Sequence, residues 1–143
     1  MDDFKVHELV CPHIYRTHGD RALAFADPRL LKWLDWFRVA IEKPVIVNDY
    51  YWQGRFTQRG YRCNLCPIVS DKTRQGTAYA SSHTRFQAVD FNIRDMLDEE
   101  IRQWIDRHKN DMPVNIRIER ETKGWVHVDV CNDGYEKIIY FNG

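Results

Sequence analysis

The chain has no apolar run approaching the ~20 residues needed to cross a bilayer as a helix, no surplus of charge of either sign, no internal repeat and no low-complexity tract. Each absence excludes something. Without a long apolar run, membrane insertion is not expected. Lysine and arginine number 21 and so do aspartate and glutamate. The chain therefore lacks the positive excess with which proteins neutralise nucleic-acid phosphates, and nucleic acid is not an expected partner. Met1-Asp2-Asp3-Phe4-Lys5 lacks the basic start and apolar core of a secretory leader. This predicts a protein that is cytoplasmic as synthesised and meets any external target after release by another route. With no evident linker, the 143 residues suit one domain, 1-143, large enough to bury a real core. A monomer is expected.

Aromatic residues, by contrast, are plentiful: five Trp, seven Tyr and seven Phe. They suit a core, and equally a cleft that grips a flexible polymer. Asp27-Pro28 predicts a helix start, with Asp as N-cap and Pro at the first helical position. Leu30, Leu31, Leu34, Phe37 and Ile41 then recur at helical spacing, and Pro44 ends that helix before a strand at Val45-Ile46-Val47. The stretch from Asp49 to Ala80 reads as a long, aromatic, basic and functional loop. A second helix is expected from about Leu97 to Lys109, capped by Asp95 or Asp98, with Leu97, Ile101, Trp104 and Ile105 inward. Strands are expected at 114–118, 125–131 and 137–141, the last two joined by an Asn132-Asp133-Gly134 turn. The fold class expected is α+β, with helices packed on one side of a mainly antiparallel sheet.

Two strand-like segments, 88–93 and 125–131, carry metal-binding side chains on one face. Side chains alternate along a strand. Val126, Val128 and Val130 therefore share an apolar face, while Trp125, His127 and Asp129 share the opposite one. Val89, Phe91 and Ile93 oppose Ala88, Asp90 and Asn92 in the same way, and His83 lies just upstream in a Ser/Thr-rich approach. Two histidines and a carboxylate, His83, Asp90 and His127, form a three-ligand set that leaves a fourth zinc position open for water, the mark of a catalytic rather than a structural site. One Zn2+ per chain is the expected cofactor. Four cysteines add a further possibility. Cys63-Asn64-Leu65-Cys66 has the spacing of half a structural zinc site, and Cys11-Pro12-His13 offers an irregular second half. Free thiols are the alternative for all four.

Ser81-x-His83, Ala88-x-Asp90 and Trp125-x-His127-x-Asp129 resemble the zinc D-Ala-D-Ala carboxypeptidase-like peptidases, which share their fold with the hedgehog signalling domain. The resemblance spans about residues 44 to 131 and rests on motif order and spacing. It implies a hedgehog/DD-peptidase-like fold with the zinc site in a surface cleft. The family glycine between the first two ligands is Phe86 here. An aromatic there is strained if that position has positive φ. The family acid three residues before the last histidine is Gly124 here, but Glu121 stands six residues before His127, as in the hedgehog-type arrangement. The resemblance thus makes Glu121 the expected general base, with Glu119 second. It also implies a substrate-gripping arginine upstream of His83. Arg62 is chosen for that role and Arg59 stands close behind, because a guanidinium pairs with carboxylates bidentately. Ser81 would touch substrate or brace His83, Asp129 would brace a ligand or sit in a surface pair, and Trp125 would wall the cleft. The substrate implied is a peptidoglycan stem peptide, cut at D-Ala-D-Ala or at an internal L-Ala-D-Glu type bond, and the type of enzyme implied is a bacteriophage or prophage cell-wall hydrolase. Two other expectations stand beside it: a non-catalytic zinc-containing module that binds cell wall or a protein, and a phage virion structural protein.

Overall fold

Residues 3–143 are described by the structure, a computed structural model. Met1 and Asp2, which open the segment read for a leader, lie outside the described residues. Two short helices, α1 (Val6–Leu9) and α2 (Pro12–His18), and a 3-10 stretch (Gly19–Phe25) precede the main helix α3 (Pro28–Ile41). The start of α3 follows from its sequence: the Asp27 side chain accepts the Arg29 N–H at 2.9 Å, and Pro28 supplies a helical φ at no hydrogen-bond cost. The helix stops where Glu42 turns left-handed and Pro44 forbids continuation. Leu30, Trp33, Leu34, Phe37 and Ile41 are its buried face.

Five strands form one sheet: β1 (Val45–Ile46), β2 (Ala88–Ile93), β3 (Ile116–Glu119), β4 (Val126–Asp129) and β5 (Ile138–Phe141). Their order is β1-β2-β4-β3-β5. Every neighbouring pair is antiparallel except β3 and β5, which are parallel. The architecture is therefore α+β with a mixed sheet. Val89, Phe91, Ile93, Ile116, Ile118, Val126, Val128 and Ile138 face one core with the inner sides of α3 and α5 (Asp98–Arg107). Aromatic rings knit that core. Phe37 lies 5.3 Å from Phe91 and 5.7 Å from Trp104, and Trp33 stacks on Phe37 at 4.7 Å. The opposite face of the sheet carries the polar alternates of the same strands.

Three expectations change. The strands at 125–131 and 137–141 are not sheet neighbours, because β3 lies between them. Asn132 donates to the carbonyls of both Ile116 and Glu136, at 2.9 Å each, and so steers the chain past β4 to the outer edge of β3. Helix α5 is capped by Leu97, which is 71% exposed rather than inward. Asp95 has φ +70° in a turn, and Asp98 accepts the Gly124 N–H at 2.6 Å. The long 49–80 connection contains a 3-10 turn (Tyr50–Trp52) and a helix, α4 (Pro67–Arg74), which opens on a proline as α3 does but has no side-chain cap bond from Cys66. Among the described residues no helix is long and apolar enough to cross a membrane.

Candidate metal centres

Strand register brings the expected ligands together. Asp90 on β2 sits opposite His127 on β4, and Ala88 sits opposite Asp129. Arg117 and Ile118 on β3 sit opposite Asp129 and Val128, so the same register continued by one residue sets Glu119 beside His127. Asp90, His127 and Glu119 thus form one row across three strands, on the face away from the core. His83 joins them from a 3-10 turn (Ser82–Arg85). The Ser81 side chain caps that turn by accepting the His83 N–H at 3.2 Å. Donor atoms of His83, Asp90 and His127 all lie within 4.8 Å of one another, and all three residues are buried.

Each ring is oriented by its other nitrogen. His83 Nδ1 lies 2.9 Å from the Gly60 carbonyl. A carbonyl only accepts, so Nδ1 carries the proton and Nε2 keeps a free lone pair turned toward Asp90. His83 Nε2 stands 3.3 Å from Asp90 Oδ2. Two ligand atoms each about 2.0–2.1 Å from a tetrahedral zinc would stand roughly 3.3–3.4 Å apart. His127 Nδ1 lies 2.8 Å from Asp90 Oδ1 and its Nε2 lies 2.9 Å from Asp129 Oδ2. Asp129 is fully buried and is gripped in turn by Arg117, through Nε and Nη2 at 2.8 Å each. A carboxylate behind a ligating imidazole is the usual support of a metal-bound histidine.

The electrostatics fit a site built for a cation. Burial disfavours the charged form of His127, but hydrogen bonds to Asp129 and Asp90 outweigh it and push its pKa up to about 9. Its Nδ1 is the ring nitrogen that faces Asp90, 2.8 Å from Oδ1. Burial pushes the Asp90 carboxyl up, yet His83 and His127 hold it well below the ordinary carboxylate range. Asp129 is held down in the same sense, burial again opposing and His127 and Arg117 prevailing. Burial lowers His83, which favours the neutral ring a metal ligand needs.

A cleft of about 270 Å³ opens over this row, with Arg62, Tyr79, Ser81, Arg117, Glu119, Trp125 and Phe141 among its walls. Arg62 reaches the centre directly. Its Nη2 donates to Asp90 Oδ2 at 3.2 Å and its Nη1 donates to Tyr79 Oη at 3.0 Å. Arg59 is buried beside it over the Phe56 ring at 4.2 Å, and its Nη1 has no hydrogen-bond partner among the described residues. It lines an adjoining depression of about 310 Å³ that shares Arg62, Asp90 and Trp125 with the cleft. Trp125 forms a wall common to both and is 39% exposed.

Glu121 is not brought to the cleft. It lines a separate depression with Arg102, Arg120, Thr122 and Lys123, whereas Glu119 lines the cleft itself. The cause is local. Strand β3 ends at Glu119, and the buried Arg102 guanidinium holds the Thr122 carbonyl and hydroxyl at 2.6 Å each, drawing the following turn under α5. Residue spacing from His127 misses this, because the deciding contact comes from a helix 20 residues away. Arg117 and Tyr79 were not singled out from the sequence. Period-2 alternation along Ile116-Arg117-Ile118-Glu119 would have placed Arg117 and Glu119 together on the polar face.

A second group of donors lies on the far side of the 59–62 segment. Donor atoms of Cys11, His13, Cys63 and Cys66 all lie within 4.8 Å of one another, so this Cys3His cluster can hold a metal ion. All four cysteines are free.

No protein-family model, no curated protein and no solved structure matches the chain.

Proposed function

We propose that the chain is a zinc-dependent peptidase of the D-Ala-D-Ala carboxypeptidase-like, hedgehog-fold type, acting on peptidoglycan stem peptides. The observation that carries the reading is the convergence of His83, Asp90 and His127 at the floor of a cleft that also holds a carboxylate and an arginine. Zinc held by those three side chains would polarise a peptide carbonyl and acidify a water in the remaining position. The chain's own groups complete the chemistry. Glu119, beside His127 on the sheet, takes the proton from the attacking water and returns it to the leaving amine. Arg62, already at the edge of the centre, turns its positive charge toward the developing oxyanion. Arg59, with an unpaired buried N–H, receives a substrate carboxylate in the adjoining depression. Trp125 lies against the peptide between the two.

The test is mass-spectrometric analysis of stem pentapeptides and muropeptides incubated with the zinc-loaded chain. Release of D-Ala identifies a carboxypeptidase, and internal cleavage identifies an endopeptidase. Glu119→Gln should lower the rate at least ~100-fold with metal content unchanged, while Glu121→Gln should stay within a few-fold of wild type. Cell-wall binding without turnover by the zinc-loaded protein would favour the non-catalytic binding module instead. No cleavage of any stem peptide and no wall binding would end the reading.

A further inference from the structure

We propose that Cys11, His13, Cys63 and Cys66 form a structural zinc centre, closed by four protein ligands, that staples the N-terminal segment to the loop supporting His83. The proposal stands apart from the hydrolase reading and does not need it. His13 Nδ1 lies 3.6 Å from Cys63 Sγ and 3.8 Å from Cys66 Sγ. A tetrahedral zinc with sulfur at about 2.3 Å and nitrogen at about 2.0–2.1 Å sets those atoms roughly 3.6 Å apart. Cys11 and Cys66 are fully buried and Cys63 is 9% exposed. With Val69 they form a small cluster of their own, packed by Ile14, Tyr61 and Tyr79, outside the main core. Three sulfurs and one imidazole fill all four positions of a tetrahedral zinc, with the two sulfurs of Cys11 and Cys66 buried and His13 half-buried at the rim, the donor set of a structural zinc rather than of a hard oxygen-seeking cation.

The backbone treats one of these sulfurs as an acceptor: the Leu65 N–H points at Cys63 Sγ at 3.3 Å. Such an amide contact compensates negative charge on a metal-bound thiolate. Backbone bonds align the segments that carry the ligands. Val10 and Tyr61 form a parallel bridge, Tyr61 N–H donates to the Leu9 carbonyl at 2.8 Å, and Cys11 N–H donates to the Tyr61 carbonyl at 3.1 Å. Gly60 permits that approach, since a Cβ there would stand 2.1 Å from the Leu9 carbonyl oxygen. The consequence reaches the other centre, because Gly60 and Arg62 are the residues whose backbone pairs with His83. The cluster therefore sets how firmly the His83 ring is aimed.

The test is to produce the wild-type chain and His83→Ala in zinc-poor, cobalt-supplemented medium under reductant and record their absorption spectra. Thiolate ligation gives cobalt an intense near-ultraviolet charge-transfer band that the His-Asp-His site, having no sulfur, cannot give. The expected result is that band, with tetrahedral visible bands, in both proteins, and at least one cobalt ion per chain retained in His83→Ala. His13→Cys should keep the charge-transfer band, and chelation of the wild-type zinc protein should lower the thermal midpoint by roughly 10 °C or more. Absence of the band in wild type with all thiols reduced would overturn the proposal, as would recovery of any two of these cysteines as a disulfide from reducing conditions. Because the deciding spectrum is that of the wild type, a cysteine variant that fails to fold does not enter the decision.

Discussion

Phe86 offers a sharp test of how the loop between His83 and Asp90 is held. Its backbone is left-handed, with φ 53° and ψ 47°, and its side chain is fully buried, 5.0 Å from the Tyr61 ring. Two effects oppose each other there. A bulky L-residue in this conformation costs about 1–2 kcal/mol. Removing a buried phenylalanine ring costs about 3–5 kcal/mol. Packing therefore wins, and Phe86→Gly should destabilise the fold by about 2–4 kcal/mol although it relieves the strain. Phe86→Ala loses the ring and keeps the strained backbone. Glycine loses more chain entropy on folding, by about 0.5–1 kcal/mol, which offsets part of the relief. Phe86→Gly should still exceed Phe86→Ala by about 0.5–1 kcal/mol, the reverse of the order expected at an ordinary position. Urea unfolding at matched metal content measures this. With a slope near ~2 kcal/mol/M the glycine midpoint should lie roughly 0.3–0.5 M above the alanine midpoint, with both well below wild type. An alanine variant more stable than the glycine variant would refute the strain argument. Both variants within ~1 kcal/mol of wild type would refute the packing argument.

Asp129→Asn removes one acceptor from the Arg117 fork and the carboxylate behind His127 Nε2. It should cost about 3 kcal/mol in urea unfolding and about 10–100-fold in zinc affinity by chelator competition; unchanged affinity would show that Asp129 does not orient His127. Asp27, the cap of α3, is held down to about 2 by hydrogen bonds from the Arg29 side chain and backbone and from Gln87, against burial. Its folded pKa lies below its unfolded value, so its contribution is fully present above about pH 4 and is lost as pH falls through about 2. Allowing for solvent around the partly exposed Arg29, that contribution is about 1–2 kcal/mol. Asp27→Asn should make the decline of the urea midpoint from pH 5 to pH 2 shallower than in wild type, and identical slopes would sink the assignment.

Local chemistry was legible in the sequence wherever one short segment decides the outcome. Asp27-Pro28 starts α3, and the Val126/Val128/Val130 alternation puts His127 and Asp129 on the face away from the core. His83, Asp90 and His127 converge as their strand positions suggested. What escaped was decided by distant partners. The parallel pairing of β3 with β5 depends on Asn132 binding two carbonyls. The displacement of Glu121 depends on Arg102, and the outward turn of Leu97 on where α5 begins. Cys63-x-x-Cys66 and Cys11-x-His13 were each visible as fragments. The pairing of residues 9–11 with Tyr61 brings them to one point.

The backbone from Gln58 to Arg62 explains why a strained residue is tolerated in the opposing loop. The Arg59 carbonyl accepts the Asp90 N–H at 2.7 Å, the Gly60 carbonyl fixes the His83 ring, and Arg62 N–H donates to the His83 carbonyl at 3.1 Å. Both Asp90 and His83 are thereby tied to the stretch 59–62, which Asn48 anchors on one side at 2.9 Å and Leu9 and Cys11 on the other. Their separation is set by this frame, so the residues between them must close a fixed gap. Gln87 N–H donates to the Ser82 carbonyl and Asp27 N–H to the Phe86 carbonyl, at 3.0 and 3.2 Å, which leaves Phe86 as the residue that makes the turn. Relaxing its φ would break bonds on both sides of the loop, each worth about 1 kcal/mol and several of them buried. Against that, a strain of about 1–2 kcal/mol is the smaller cost. The left-handed Phe86 is thus a consequence of where His83 and Asp90 are held, and a buried aromatic ring is what lets the chain do without glycine there.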